Sequence, residues 1–353
     1  MNPLRSTICL LRWTITLLAA FPSLTLSSMI FEEYYSRLRG TVDTALAGVI
    51  EQTEPRSLYE PVRYILDSGG KRVRAVLVVL AAEAVGGDLV GALNAGLAVE
   101  LLHNFTLVHD DIMDRAATRR GRATVHTKWD ESTALLVGDV LVGHAYATLL
   151  RTSVSETARV VRSFTQGMVD VCEGQALDRE FEVRRDVSLD EYLHMIAMKT
   201  GRLLETAAEL GGLVGGGTVE QVDALRTYAR ALGQAFQIQD DLLDLTADEA
   251  VFGKRIGGDI IEGKRTYLVI RALDAVPEAN RALLDRLLDD GGLPAGEVDA
   301  VRALFAQHGV LESAARDVRL CMDHAIGALG TLPATPARSM LIHFAEMLLE
   351  RDA

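Results

Sequence analysis

Two apolar stretches of the chain are interrupted by the same acidic pattern. Leu107-Val108-His109-Asp110-Asp111-Ile112-Met113-Asp114 is matched by Gln237-Ile238-Gln239-Asp240-Asp241-Leu242-Leu243-Asp244, so DDxxD occurs twice. On a helix, positions i and i+4 lie one above the other, which puts Asp110 with Asp114, and Asp240 with Asp244, on single carboxylate stripes. Like charges at that spacing destabilise a helix, and carboxylates are costly to bury unpaired, so both stripes need cations. Hard oxygen donors suit Mg²⁺, which keeps waters and bridges to phosphates, with Mn²⁺ as a substitute. His103, Asp110 and Asp114 fall within about 20 to 40° of one another at about 100° per residue, and Gln237, Asp241 and Asp244 follow i, i+4, i+7. A lone DDxxD reads equally well as a solvated helix end; two copies on apolar helices point to a wet cavity between them.

Around these stripes the pattern is helical. From Met29 onward apolar residues recur at helix spacing, with breaks at Gly69-Gly70, Gly86-Gly87, Gly211-Gly212, Gly215-Gly216-Gly217, Gly291-Gly292 and between Pro333 and Pro336. No strict alternation is long enough to force a sheet, and no charge run or Ser/Gly linker divides the body. Only 8 prolines and 5% aromatics in 353 residues that are 49% hydrophobic favour long buried helices over β-rich layers. The expectation is an all-α protein, one large bundle of roughly ten or more helices. Lys and Arg total 36 against 49 Asp and Glu, a net charge of −13, so nucleic acid is not an expected partner. Cys9, Cys172 and Cys321 show neither CxxC nor Cys/His spacing, which leaves no disulfide framework or zinc site and fits a reducing, cytoplasmic setting.

The first segment stands apart. Residues 13–26 are mostly apolar, flanked by Arg5 and Arg12, and are closer to a signal-peptide core than to a spanning helix, which needs about 20 apolar residues. At Met29 the text changes to an amphipathic pattern that begins with Phe31, Tyr34, Tyr35 and Leu38. Residues 1–28 are therefore read as an N-terminal extension, either an over-called start or a signal-like segment. Residues 29–353 are read as a single domain with no stable membrane insertion.

Metal ions alone do not neutralise every oxygen of a diphosphate, so a site of this kind also needs cations from the protein. Gly69-Gly70-Lys71-Arg72-Val73-Arg74 opens a helix with donors, Arg119-Arg120-Gly121-Arg122 follows the first acidic cluster, and Lys254 and Lys264 bracket Gly257-Gly258-Asp259 after the second. Taken singly, each reads as surface charge. Lys199-Thr200, alone inside the apolar run 195–204, is the hardest to place at a surface.

In this order the motifs GGKRVR (69–74), LLHNFTLVHDDIMD (101–114), RRGRATVH (119–126), Lys199-Thr200, FQIQDDLLD (236–244) and GKRIGGDIIEGKRTY (253–267) resemble the trans-isoprenyl diphosphate synthases, the polyprenyl synthetase family. The likeness runs from about Leu58 to the C-terminal helix. Ala75 and Ala123 stand where the family usually has proline, which removes local backbone stiffness and leaves the chemistry untouched. The resemblance implies the isoprenoid synthase fold, a homodimer of helical bundles with the two aspartate motifs facing each other across the mouth of a deep cavity. It implies that Asp110, Asp114 and Asp240 ligate three Mg²⁺, with Asp111, Asp241 and Asp244 in close support. It assigns Lys71, Arg74, His103 and Arg120 to isopentenyl diphosphate, and Arg119, Lys199, Lys254 and Lys264 to the allylic diphosphate. The leaving diphosphate is stabilised, the C–O bond ionises, the isopentenyl double bond attacks the cation, and a proton is lost to the departing pyrophosphate. No protein nucleophile is needed, and dipoles of Thr200 and Gln237 stand beside the allylic cation in a water-poor pocket.

Product length follows from the same resemblance. In the family the fifth residue before the first aspartate often forms the floor of the chain-length pocket, and here it is Phe105, with the small Thr106 beside it. Five residues are about 7.5 Å of helix, roughly one to two isoprene units below the metals. An aromatic there, with two residues inside the motif, resembles the short-chain pattern of geranylgeranyl diphosphate synthases and predicts a C20 product. Farnesyl diphosphate is the runner-up, and longer polyprenyl products come third. Two rivals remain at this point: a class I terpene cyclase, which would lack the DDLLD form of the second motif and GGKRVR, and a non-catalytic synthase subunit, which would tolerate loss of the aspartates.

Overall fold

The computed structural model describes residues 22–154, 156–182, 184, 186–247 and 256–350. Helices α1 (Pro22–Gly48), α2 (Arg56–Leu66), α3 (Val73–Ala84) and α4 (Leu89–Met113) lead to a small antiparallel hairpin of β1 (Thr118–Arg119) and β2 (Arg122–Ala123), in which Thr118 pairs with Ala123. Helices α5 (Val125–Lys128), α6 (Glu131–Leu149), α7 (Thr157–Phe181) and α8 (Leu189–Ile196) follow, and a π-helical turn, Ala197–Gly201, joins α8 to α9 (Arg202–Val214). The remainder is α10 (Val219–Thr246), α11 (Gly258–Ile261), α12 (Tyr267–Ala275), α13 (Ala282–Asp289), α14 (Val298–Gln307), α15 (Val310–Ala328) and α16 (Pro336–Leu349). The all-α expectation holds among the described residues, where the two-residue strands are the only sheet.

The helix starts carry their reasons in sequence. The Asp88 side chain accepts from Gly91 N at the head of α4, and Thr218 and Gln221 form a reciprocal capping box at the head of α10. Two apolar cores meet along α10. Its first half, with Leu225, Tyr228 and Leu232, joins a core built from α1, α3, α4, α6 and α9; its second half, with Ala235 and Ile238, joins a core of α8 and α12 to α15. The second acidic cluster thus stands on the helix that ties the two cores together. Both α4 and α10 pack against α9.

Helix α1 runs through Met29 without a break in the backbone, and just after it Phe31 is buried. Residues 1–21, with most of the signal-like segment, lie outside the described residues, as does Lys254. Among the described helices α6 is long and apolar enough to cross a membrane by length and composition, yet it packs along α4 and α2.

Candidate active site

The last turn of α4 carries the first cluster. Burial, with Asp114 beside it, pushes Asp110 up to about 6 against the pull of Lys199. Asp111 turns inward and is buried; its Oδ1 accepts from Arg119 Nε at 2.6 Å, so it anchors the β1 arginine. Asp114 is the C-cap of α4 and is exposed. The middle aspartate is therefore a bracket, while Asp114 is exposed and Asp110 half-buried.

The second cluster repeats this division. Asp241 is buried and accepts from Tyr192 Oη at 2.6 Å, Gln237 Nε2 at 2.9 Å and Tyr267 N at 3.0 Å, while burial pushes it up to about 7. Three donors from α8, α10 and α12 occupy this carboxylate, so it fastens helices together. Asp244 Oδ2 accepts from the Asp259 N–H at 3.1 Å, and burial followed by the Asp259 charge pushes it up to about 6. Against burial, the Glu262 and Asp259 carboxylates hold Lys264 above its ordinary value, with Nζ to Glu262 at 2.7 Å and to Asp259 at 3.5 Å. Gln237 spends its amide N–H on Asp241, which leaves its carbonyl oxygen as the group able to face a cation.

Lys199 and Thr200 lie in the π-helical turn, a widened turn often found at functional sites. Two close approaches hold it. A Cβ at Gly174 of α7 would stand 2.4 Å from Lys199 N, and one at Gly233 of α10 would stand 2.7 Å from Gly201 Cα, so side chains at either position would force the turn out. Lys199 Nζ meets Asp178 Oδ2 of α7 at 2.5 Å. Asp178 had no place in the sequence reading, although a lone lysine in an apolar run signals that some acid must answer it.

The cations gather where α3, α4 and the hairpin meet. Arg74 Nη1 donates to His103 Nε2 at 3.1 Å, which puts the proton of a neutral His103 on Nδ1. Burial, then Arg74 and Arg120, hold His103 well below its ordinary value, so it is neutral at pH 7. Arg74 Nε and His103 Nδ1 are enclosed and have no partner, an arrangement that leaves two N–H donors waiting for an acceptor. Arg120 donates to the Gly69 carbonyl and, at 3.4 Å, to Ser68 Oγ. Phe105 meets His109 edge to face at 4.8 Å, and Thr106 Oγ1 is turned back to the His103 carbonyl at 2.8 Å.

No three His, Cys, Asp or Glu side chains converge as a ready cation cage among the described residues. That suits Mg²⁺, which takes one or two carboxylates and completes its shell with water and phosphate oxygens. The donor set fits: it is all-oxygen, and burial pushes Asp110 and Asp244 up to about 6, a cost that a bound cation would relieve.

The sequence profile of the polyprenyl synthetase family matches residues 55–305. A geranylgeranyl diphosphate synthase of Methanosarcina mazei is 39% identical over 314 residues, 88% of this chain and 95% of that protein. A short chain isoprenyl diphosphate synthase of Methanothermobacter thermautotrophicus is 38% identical over 316 residues, 88% of this chain and 95% of the relative. The crystal structure of geranylgeranyl pyrophosphate synthetase from Pyrococcus horikoshii superposes with a TM-score of 0.86 at 38% identity, covering 91% of this chain and 99% of that one.

Proposed function

Since the chain belongs to the polyprenyl synthetase family and is a prenyltransferase, we propose that it condenses isopentenyl diphosphate head-to-tail with allylic diphosphates, with C20 geranylgeranyl diphosphate as its product. The observation that carries this reading is the pair of orphaned donors, Arg74 Nε and His103 Nδ1, in a cation cluster on the helix pair whose end bears Asp110 and Asp114. One helix, α4, thus serves an anion site built from protein alone and a site built for metal-bound anion.

Lys71, Arg74, His103 and Arg120 bind the diphosphate of isopentenyl diphosphate. Lys199 and Lys264, with Arg119 fixed by Asp111 and with Lys254, bind the allylic diphosphate. Asp110, Asp114 and Asp240 hold Mg²⁺, three ions per site, with Mn²⁺ able to replace it, and Asp244 supports them; Asp111 and Asp241 act by fastening their helices. Bound there, the ions supply the positive charge that stabilises the departing diphosphate. Thr200 Oγ and the Gln237 carbonyl oxygen direct their dipoles at the allylic cation, and the new C–C bond forms before a proton leaves for the pyrophosphate.

Phe105 forms the floor that stops growth at C20. The exposed Leu135, Leu136, Leu150 and Val169 support a homodimer formed through α6 and α7, which also accounts for the apolar character of α6. The setting is cytoplasmic. The test is product analysis of the purified chain with Mg²⁺, isopentenyl diphosphate and each allylic primer. Geranylgeranyl diphosphate is expected; a cyclic hydrocarbon, or no consumption of isopentenyl diphosphate, overturns the reading.

A further inference from the structure

Two residues outside every assignment above form a buried ion pair beneath the isopentenyl site. Arg72 is the N-cap of α3 and has a left-handed backbone, φ +51°, two residues after Gly70 at +148°, which itself follows Gly69 at +70°. For an arginine this conformation is strained, so something must hold it. Its guanidinium does so: Nε donates to Asp43 Oδ1 at 2.8 Å, Nη1 to Glu100 Oε1 at 3.1 Å and Nη2 to the Leu66 carbonyl at 3.0 Å. The side chains of Arg72 and Glu100 are 3% and 4% exposed, so neither reaches a substrate.

The position of the pair matters more than its strength. Arg72 stands between Lys71 and Arg74 in sequence, and Glu100 lies one helical turn before His103 on α4. The backbone of Lys71 is fastened from a third side, where Tyr35 Oη of α1 donates to the Lys71 carbonyl at 2.5 Å. The carboxylate of Glu100 also offsets the mutual repulsion of Arg74 and Arg120, which crowd one small region. Lys71 and Arg74 are thus one and two residues from Arg72, His103 is three residues from Glu100, and Arg120 feels the Glu100 charge.

We propose that Arg72 and Glu100 are positioning residues for the isopentenyl diphosphate site: their ion pair fixes the 69–74 loop against α4 and so sets affinity for that substrate alone. The proposal rests on the reading of the site given under the proposed function. A buried pair need not add stability, because well-packed apolar replacements of both partners are often neutral, whereas removing one partner leaves an uncompensated charge. That difference separates positioning from bulk stability.

The experiment compares Glu100→Gln, Arg72→Met and the double variant Arg72→Met/Glu100→Met in the full chain, by steady-state kinetics with both substrates and by thermal unfolding. The KM for isopentenyl diphosphate is expected to rise about tenfold or more in all three, with the KM for the allylic primer within about twofold of wild type. The double variant should recover thermal stability relative to the single ones and still keep the raised KM. Wild-type KM for isopentenyl diphosphate in the folded double variant overturns the proposal, as does a parallel rise for both substrates. Absence of turnover in the wild type overturns the proposed function and this inference with it.

Discussion

The basic and acidic halves of the site are prepared to different degrees. On the basic side, Arg74 is set by His103, Arg120 by the Gly69 carbonyl, and the loop that carries Lys71 by Arg72, Glu100 and Tyr35. On the acidic side the middle aspartates are held by side chains, Asp111 by Arg119 and Asp241 by Tyr192 and Gln237 with the Tyr267 N–H, while burial leaves Asp110 and Asp244 up at about 6. On the proposed reading, one half is preorganised without added ions and the other is completed by metal. A site that must ionise one diphosphate and leave the other intact needs this asymmetry, since charge stabilisation accelerates only the bond that breaks.

Breaking the acidic half should have the largest effect. Asp110→Ala or Asp240→Ala is expected to lower kcat by about a thousandfold or more, since a lost metal site removes several kcal/mol of transition-state stabilisation. Circular dichroism should show the fold intact, and near-normal turnover in either variant would mean that the metals lie elsewhere. Damage to the basic half should appear in one constant only. Arg74→Ala is expected to raise the KM for isopentenyl diphosphate about 10- to 100-fold, the worth of a lost charged hydrogen bond, with a much smaller change for the allylic primer. A larger rise for the primer would exchange the two sites.

Acidity sharpens the contrast further. Asp110 and Asp244 have pKa values raised to about 6 in the metal-free folded chain, so below that pH protons compete with metal for them. Turnover at limiting Mg²⁺ should drop about tenfold between pH 7 and pH 5, and more Mg²⁺ should move the falling limb to lower pH. The sign for stability is the reverse. At pH 7 the buried charge on Asp110 opposes folding of the metal-free chain, so Asp110→Asn should raise the thermal midpoint by roughly a few degrees, and by less at pH 5, where Asp110 is already neutral. A gain that grows on acidification would contradict the shift. The smallest effect concerns the floor: Phe105→Ala should lengthen the product by at least one isoprene unit while the rate remains within about tenfold. An unchanged product in an active variant would locate the floor elsewhere.

The helical architecture and the two acidic stripes were legible because both are local patterns, read at spacings of three and four residues. What the spacing did not reveal is which aspartate of each trio turns inward. Asp111 and Asp241 look identical to their neighbours until Arg119, eight residues on in the hairpin, meets the first and Tyr192 and Tyr267, from separate helices, meet the second. The π-helical turn at Lys199 was hidden for a related reason, since its widening is imposed by the close backbones at Gly174 and Gly233 and has no local pattern of its own. Arg72 and Glu100, 28 residues apart, carry no mark in sequence beyond one more arginine in a basic run and one acid in an apolar helix.

The asymmetry itself is tested most directly by equilibrium binding of isopentenyl diphosphate and of an unreactive allylic thiolodiphosphate to the same protein, with Mg²⁺ and with excess chelator. If the basic half is complete in the protein alone and the acidic half is not, chelation should change the Kd of isopentenyl diphosphate by less than about threefold and abolish binding of the allylic analogue. Equal dependence of both ligands on metal would contradict the account.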